Sequence, residues 1–312
     1  MRRGPPVVIR SKGIRMSVTV SVVVPVRNAI RYLAQTMEVL LAQTLAGAEI
    51  VLVDDGSDDG SGEMCRAWAR EHPGRVTLVT PANPVGTGRA RQLGIAAASG
   101  EYVAFADADD IPAPDMLQTL HDTALRHGAD MVIAGYAVRR RKTSFTVLAD
   151  ERPAMPLRHR TDILAPVWNK LFRKDFLLAN AITFPASKMF EDGVFVYKAL
   201  ACGPRVALCP GVVYTYIRRD HSVSSDIMMR CEAIDSLADL RAFLKKRGVF
   251  RDFLPVYARL VFLHCVYYPA CLVCIDSVWH GHRRMENLRN VLPYLRELLC
   301  FIMTGRRSGA GA

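Results

Sequence analysis

Three carboxylates, Asp107, Asp109 and Asp110, close the run GEYVAFADADD at residues 100–110. Apolar strand formers ending in clustered acids are a poor design for stability, because like charges that close repel one another. A bound cation is the cheapest remedy. Side chains alternate along a strand, so Asp107 and Asp109 share one face while Asp110 begins the turn. Oxygen donors alone select a hard ion, Mg²⁺ or Mn²⁺, which keeps substrate phosphates among its other ligands. A second acidic pair, Glu191-Asp192, follows much later in the chain.

The elements that must carry these acids are legible in the hydrophobic pattern. Residues 18–26 (VTVSVVVPV) form a nearly unbroken β-branched run, as in a strand buried on both faces. Ile30, Leu33, Met37, Leu40, Leu41 and Leu45 then recur at helical spacing, and Gly47 supplies the stop. The pattern predicts strands over 48–53, 75–80 and 101–106, with helices over 62–71 and within 83–98. Strand–helix alternation with short connections implies a parallel sheet covered by helices on both faces. Ligands bind such sheets beyond the C-terminal strand ends. Pro25-Val26-Arg27-Asn28, Asp54-Asp55 and Asp107–Asp110 all fall there. After Pro112 the alternation changes: a helix over 114–127, a hairpin over 131–138 and 145–148 with a basic turn, Arg139 to Lys142, then a helical region past Ser225.

Composition bounds the rest. The chain has 312 residues, half of them apolar, 23% charged, with a net charge of +11. That suits anionic partners: nucleic acid, a membrane surface or phosphorylated substrates. Arg2, Arg3, Arg10, Lys12 and Arg15 face no acid within residues 1–15, which read as a disordered basic tail without the apolar core of a signal peptide. Eight cysteines without a secretory signal imply reduced thiols in a cytoplasmic compartment.

Five ordered segments resemble the family 2 glycosyltransferases of GT-A fold: VSVVVPVRNAIRYL, EIVLVDDGSDDGS, NPVGTGRARQLGIAAASGEYVAFADADD, VWNKLFRKDF and FEDGVFVYKAL. The resemblance implies an α/β fold with a Rossmann-like, mainly parallel sheet flanked by helices and a helical C-terminal extension. It implies a nucleotide-sugar-binding half over 16–112, an acceptor half with the catalytic base over 113–228, and an amphipathic helical region over 229–312. Pro25, Val26, Arg27, Asn28 and Ala108 would line the nucleotide, and Asp55 would accept a hydrogen bond from its base. Asp107 and Asp109 would form the DxD motif, with Asp107 at the ribose and Asp109 on Mn²⁺ or Mg²⁺. Arg91 would support the nucleotide or these acids. Asp192 would be the base, with Glu191 as its alternative.

Trp168, Asn169 and Lys170 open the acceptor segment, where Lys170 is either an acceptor or diphosphate contact or a solvent-facing lysine. Arg218, Arg219, His221 and Ser222 match the loop that closes over the donor, and His221 would complete the metal site. The family thus implies an inverting transfer from a nucleotide-diphospho sugar, UDP-linked, to a glycan or lipid-linked acceptor in cell-surface polysaccharide synthesis. No nucleic acid would be bound, and an anionic membrane surface on the inner face of the cell membrane would be a further partner. The chemistry needs the same parts: a metal for the charge on the leaving diphosphate, and a carboxylate to take the acceptor proton.

Competing readings fare worse. A nucleotidyltransferase needs a Gly-rich, Lys/Arg-bearing loop after the first strand, and residues 25–30 are not one. An inactive nucleotide-sugar-binding module should have lost an acid, and none is lost. Gly86-Thr87-Gly88 lacks the third glycine of a dinucleotide loop, because Arg91 stands there. Asp58 and Asp59 read as turn and capping acids. Cys265, Cys271 and Cys274 have no second pair at zinc-site spacing and read as thiols on an apolar helix. Residues 260–275 and 292–303, flanking a basic cluster, read either as an interfacial anchor or as a buried helical cap.

Overall fold

The computed structural model describes residues 6–9, 18–141, 143–149, 165–187, 189–219 and 227–264, with only the backbone over 227–232. The Pro- and Arg-containing segment over 152–160, His221, and the apolar stretches and cysteines beyond residue 264 lie outside the described residues. The chain divides into two units, Met1–Phe184 with Cys202–Arg219, and Pro185–Ala201 with Asp220–Ala312.

In chain order the first unit contains β1 (Val7–Ile9), β2 (Val20–Val26), α1 (Leu33–Leu41), β3 (Ala48–Asp54), α2 (Ser61–Glu71), β4 (Val76–Thr80), α3 (Thr87–Ala97) and β5 (Tyr102–Phe105). Then come β6 (Ile111–Pro112), α4 (Met116–His127), β7 (Met131–Arg139), β8 (Ser144–Val147), β9 (Lys170–Arg173), α5 (Lys174–Ala179) and β10 (Val206–Ile217). Among the described residues these make one ten-stranded sheet in the order β1-β4-β3-β2-β5-β9-β7-β10-β6, with β8 paired to β7. The β4-β3-β2-β5 core is parallel throughout.

Burial on both faces explains the β-branched runs. Val20, Val22, Val24 and Val26 join Leu33, Met37 and Leu40 of α1, Cys65 of α2 and Leu117 and Leu120 of α4 in one core. Val23 points the other way, toward α3. A Cβ placed on Gly94 would lie 2.2 Å from Val23 Cγ1, so this glycine lets α3 approach the central strand.

The chain winds from β2 through β3 to β4, then α3 carries it back to β5 on the other side of β2. The strand order therefore reverses between β2 and β5, which opens a crevice at their C-terminal ends. At the opposite end lies a different kind of polar cluster. Buried Glu49 accepts hydrogen bonds from Ser21 Oγ (2.6 Å), Thr77 Oγ1 (3.1 Å) and the Ser99 N–H (2.8 Å). Those bonds satisfy the carboxylate and fasten three elements, so this end is structural.

Two features differ from the sequence expectations. Val7–Ile9, expected in a disordered tail, pair antiparallel with β4, because a β-branched triplet can satisfy the open edge of that strand. The strand β9 runs antiparallel between β5 and β7, joining the parallel half to the β7–β10 pair. The hairpin expected over 131–148 is present as β7 and β8.

The second unit contains α6 (Glu191–Leu200), α7 (Ile227–Lys246) and α8 (Phe250–Phe262). Lys198 is almost fully buried, ion-pairs with Asp239 and lies 5.5 Å from the Phe243 ring. Gly193 makes room for the Phe190 ring, which a Cβ would meet at 2.1 Å. Among the described residues no helix is long and apolar enough to cross a membrane.

Candidate active site

The switch point gathers the ends of β2, β3 and β5. The Asp55 N–H donates to Val26 O (2.8 Å), tying β3 to β2, and the buried Asp55 carboxylate takes the Val85 and Gly86 N–H groups at 2.6 and 2.8 Å. It thereby holds the loop that leads into α3. Gly56 (φ +78°) lies under Pro84 of that loop, too close for a side chain. Arg27 is exposed, with Nη1 3.7 Å from Asp55. Asn28 takes a left-handed conformation (φ 51°), and its Oδ1 accepts the Asp58 N–H at 3.0 Å. Pro25 and Val26 are half-buried and buried. Asp59 accepts from Ser61 Oγ (2.6 Å) and from the Ile30 N–H (3.0 Å), as a turn acid does. Its Ser61 hydrogen bond lowers its pKa.

The acidic loop after β5 is held from three sides. Thr36 Oγ1 of α1 donates to Asp110 O (2.8 Å) and Ala108 O (3.1 Å). Arg91 of α3, itself buried, donates through Nη2 to Asp107 Oδ1 at 2.7 Å. From β10, buried Tyr214 accepts the Asp107 N–H at 2.9 Å, and the Ile217 N–H donates to Asp110 Oδ1 at 2.8 Å. Arg219 then folds back: Nη1 pairs with the Asp109 carboxylate, Nη2 donates to Asp109 O, and the guanidinium lies 3.9 Å from the Tyr32 ring.

Electrostatics separates the three acids. Asp107 and Asp109 are 27% and 43% exposed, open to a solute. Burial first, and the Asp107 charge second, raise the pKa of Asp109. The same two causes push buried Asp110 up to about 8, and its Oδ2 has no hydrogen-bond partner. Burial, then Asp110, also lifts the Tyr214 phenol well above its ordinary range, which keeps it neutral.

Among the described residues no three His, Cys, Asp or Glu side chains form a ready metal cage. The donor set nonetheless fits a hard divalent cation that takes two carboxylates from the protein and completes its shell with phosphate. Two accessible acids repel one another, and a third, buried acid beside them is held toward its neutral form.

The residues expected to face the acceptor are placed otherwise. Trp168 is nearly buried, stacked on Tyr214 (centroids 4.5 Å apart) and Tyr216 (5.8 Å). Asn169 and Lys170 have no exposed surface. Asn169 Nδ2 donates to Ala134 O (2.7 Å), and Lys170 Nζ donates to Asn169 Oδ1 (2.7 Å) and to Pro166 O. Lys170 is thus neither solvent-facing nor open to a solute, because β9 lies inside the sheet rather than at its rim. Glu191 and Asp192 occupy the first turn of α6, half-buried, in the second unit. Carboxylates are favoured there by the helix dipole.

Sequence reasoning missed Tyr214, Thr36 and the pairing of Arg219 with Asp109. The alternation in VVYTYI predicts a strand, but nothing local says which tyrosine reaches the acids.

The family model described as Glycosyl transferase family 2 matches residues 21–190. The glycosyltransferase GlyG of Streptococcus pneumoniae is 30% identical over 225 residues, covering 67% of this chain and 73% of that protein. Among solved structures, residues 1–349 of S. aureus TarS with UDP-GlcNAc superpose with a TM-score of 0.58, at 18% identity and 93% coverage of each chain. The mannosyltransferase PcManGT from Pyrobaculum calidifontis, with GDP-Man and Mn²⁺, gives 0.57 at 20% identity, covering 94% of this chain and 86% of that one.

Proposed function

This chain belongs to glycosyl transferase family 2 and is a glycosyltransferase, and from that premise we propose a metal-dependent, inverting transfer from a UDP-sugar to a glycan or lipid-linked acceptor in cell-surface polysaccharide synthesis. One observation carries the reading. Two accessible carboxylates, Asp107 and Asp109, stand at the point where the strand order reverses, held by Arg91 and Arg219. Acids at that position are arranged for a nucleotide diphosphate and its cation rather than for packing.

Asp109, with Asp107, would hold Mn²⁺ or Mg²⁺, which when bound neutralises charge on the departing diphosphate. The protein's own groups do the rest. Asp55 and the loop over 83–86 form the nucleotide end, with Arg27 at its mouth. Arg91 fixes the Asp107 rotamer by a charge-assisted hydrogen bond, so that carboxylate needs no reorganisation when the donor arrives. Asp192 takes the proton from the acceptor hydroxyl as its oxygen attacks the anomeric carbon, and the bond to the diphosphate oxygen breaks on the opposite face, which inverts the centre. The acceptor places this chemistry at the inner face of the cell membrane.

A donor screen tests the reading. UDP-, GDP- and dTDP-sugars are incubated with the protein and Mn²⁺, with and without EDTA, and sugar release is measured. Turnover of a UDP-sugar that EDTA abolishes is the expected result. Turnover indifferent to EDTA would remove the metal, and a preference for GDP-sugars would remove the UDP assignment.

A further inference from the structure

Beyond the acidic loop, on the flank away from β2 and β3, the ends of β7 and β10 carry a charge cluster that the transfer chemistry does not use. Arg139 ends β7 opposite Ile217 of β10, and the Arg218 N–H donates to Arg139 O at 2.9 Å. The Arg140 N–H closes the hairpin turn on Thr143 O (2.8 Å), and its guanidinium lies 5.6 Å from the exposed Phe145 ring. Arg139, Arg140, Arg141 and Arg218 are all exposed. Among the described residues none of them has a carboxylate within ion-pairing distance. Neither the hairpin, residues 131–149, nor the β10 segment, residues 206–219, contains a single acidic residue. Four guanidiniums on adjoining strand ends repel one another, and among the described residues no carboxylate pairs with them.

The cluster adjoins the site directly. Ile217 between the two arginine positions holds Asp110, and Arg219 next to Arg218 pairs with Asp109. The nucleotide end comes from β2, β3 and α3 and the metal-binding acids from the end of β5, so the β7–β10 flank, beyond β5 and β9 in the sheet, is left for the other substrate. Guanidinium forks match planar or tetrahedral oxyanions, and several in a row suit anionic groups repeated along a chain.

We propose that Arg139, Arg140, Arg141 and Arg218 bind the acceptor, and that the acceptor is a polyanion whose phosphate or carboxylate groups lie along the chain near the hydroxyl to be glycosylated. The proposal rests on the transfer reading for the identity of the second substrate. It does not depend on which nucleotide the donor carries.

Linear inorganic polyphosphate is the test probe, added to full-length protein with saturating UDP and Mn²⁺ so that the donor site is filled. Each exposed guanidinium–phosphate pair contributes roughly 1.5- to 5-fold in affinity. The fourfold variant R139Q/R140Q/R141Q/R218Q should therefore bind polyphosphate at least about fivefold more weakly. The melting temperature should not change, and the triple variant R139Q/R140Q/R141Q, which spares the loop expected to close over the donor, should lose polyphosphate affinity while keeping its UDP affinity. A control that removes as much charge elsewhere, R70Q/R126Q/R247Q/R251Q, should bind polyphosphate as the parent does, and neutral dextran should bind to neither. Unchanged polyphosphate affinity in the first variant overturns the proposal, as does an equal loss in the control. Patch-dependent pelleting with phosphatidylglycerol vesicles, without polyphosphate binding, also overturns it and assigns the cluster to a membrane surface. A parent protein that binds no UDP would count against the transfer reading, while polyphosphate binding would still decide this one.

Discussion

Replacing Gly94 by alanine sets two effects of opposite sign against each other. Alanine in the middle of a helix is favoured over glycine by about 1 kcal/mol, so propensity alone predicts stabilisation. Packing opposes it. The new Cβ would lie 2.2 Å from Val23 Cγ1, 3.1 Å from Cγ2 and 3.2 Å from Cβ, against a comfortable carbon–carbon contact of about 3.5–4.0 Å. Rotating Val23 brings one methyl in as the other leaves, and its Cβ is fixed in a strand paired on both sides. Overpacking of this kind costs ~1–3 kcal/mol, and so short an approach to a branched side chain puts the cost at the upper end. The net loss should be ~1–2 kcal/mol, a fall of roughly 2–8 °C in melting temperature. The same shift moves Arg91, one turn earlier on α3, away from the Asp107 carboxylate it now meets at 2.7 Å. UDP–Mn²⁺ affinity should therefore drop with stability. Thermal melts and calorimetric titration of Gly94→Ala, Val23→Ala and the double variant make the assay. In the Val23→Ala background both methyl contacts vanish and only the 3.2 Å approach to Cβ remains, so Gly94→Ala should cost far less or become neutral. A raised melting temperature for Gly94→Ala alone, or the same loss in both backgrounds, would refute the packing argument.

Asp109→Asn should leave the melting temperature within a few degrees but remove the gain in UDP affinity that Mn²⁺ confers, since an amide is an uncharged and poorer ligand. Titration calorimetry with and without the metal reads this directly. Asp192→Asn should cut turnover by ~10²–10⁴-fold with UDP affinity unchanged, because a general base acts mainly in the transition state. Glu191→Gln should be milder, and the reverse ranking would move the base one residue upstream. In EDTA, Asp110→Asn should stabilise the protein increasingly as pH rises from about 4 to 8. The Asp110 carboxyl, raised to about 8, is protonated only in the folded state across that window. Wild-type stability is lost there at up to ~1.4 kcal/mol per pH unit, and the amide has no such slope. Parallel slopes for the two proteins would show that Asp110 ionises normally.

Sequence alone determined the parallel half of the sheet and the position of its site. Unbroken β-branched runs such as 18–26 belong to doubly covered strands, and the intervening helices have the period that covers them. Strand ends can be read within a residue or two, so the acids after β3 and β5 could be placed on one sheet edge, and five ordered motifs supplied the family. Local periodicity reports only on neighbours a few positions apart, and the parts that depend on distant pairings stayed hidden. Val7–Ile9 carried too short a pattern to reveal its partner strand. Lys170 read either as a substrate contact or as a solvent-facing lysine, and only the insertion of β9 between β5 and β7 buries it. Tyr214 stands 107 residues from the backbone N–H it accepts, and Arg219 stands 110 residues from the carboxylate it neutralises. Only the folded sheet brings such groups together, because β10 returns beside β7 after the chain has left the acidic loop. The charge balance of the site, with three acids held by two arginines and a buried phenol, is therefore a property of the tertiary structure.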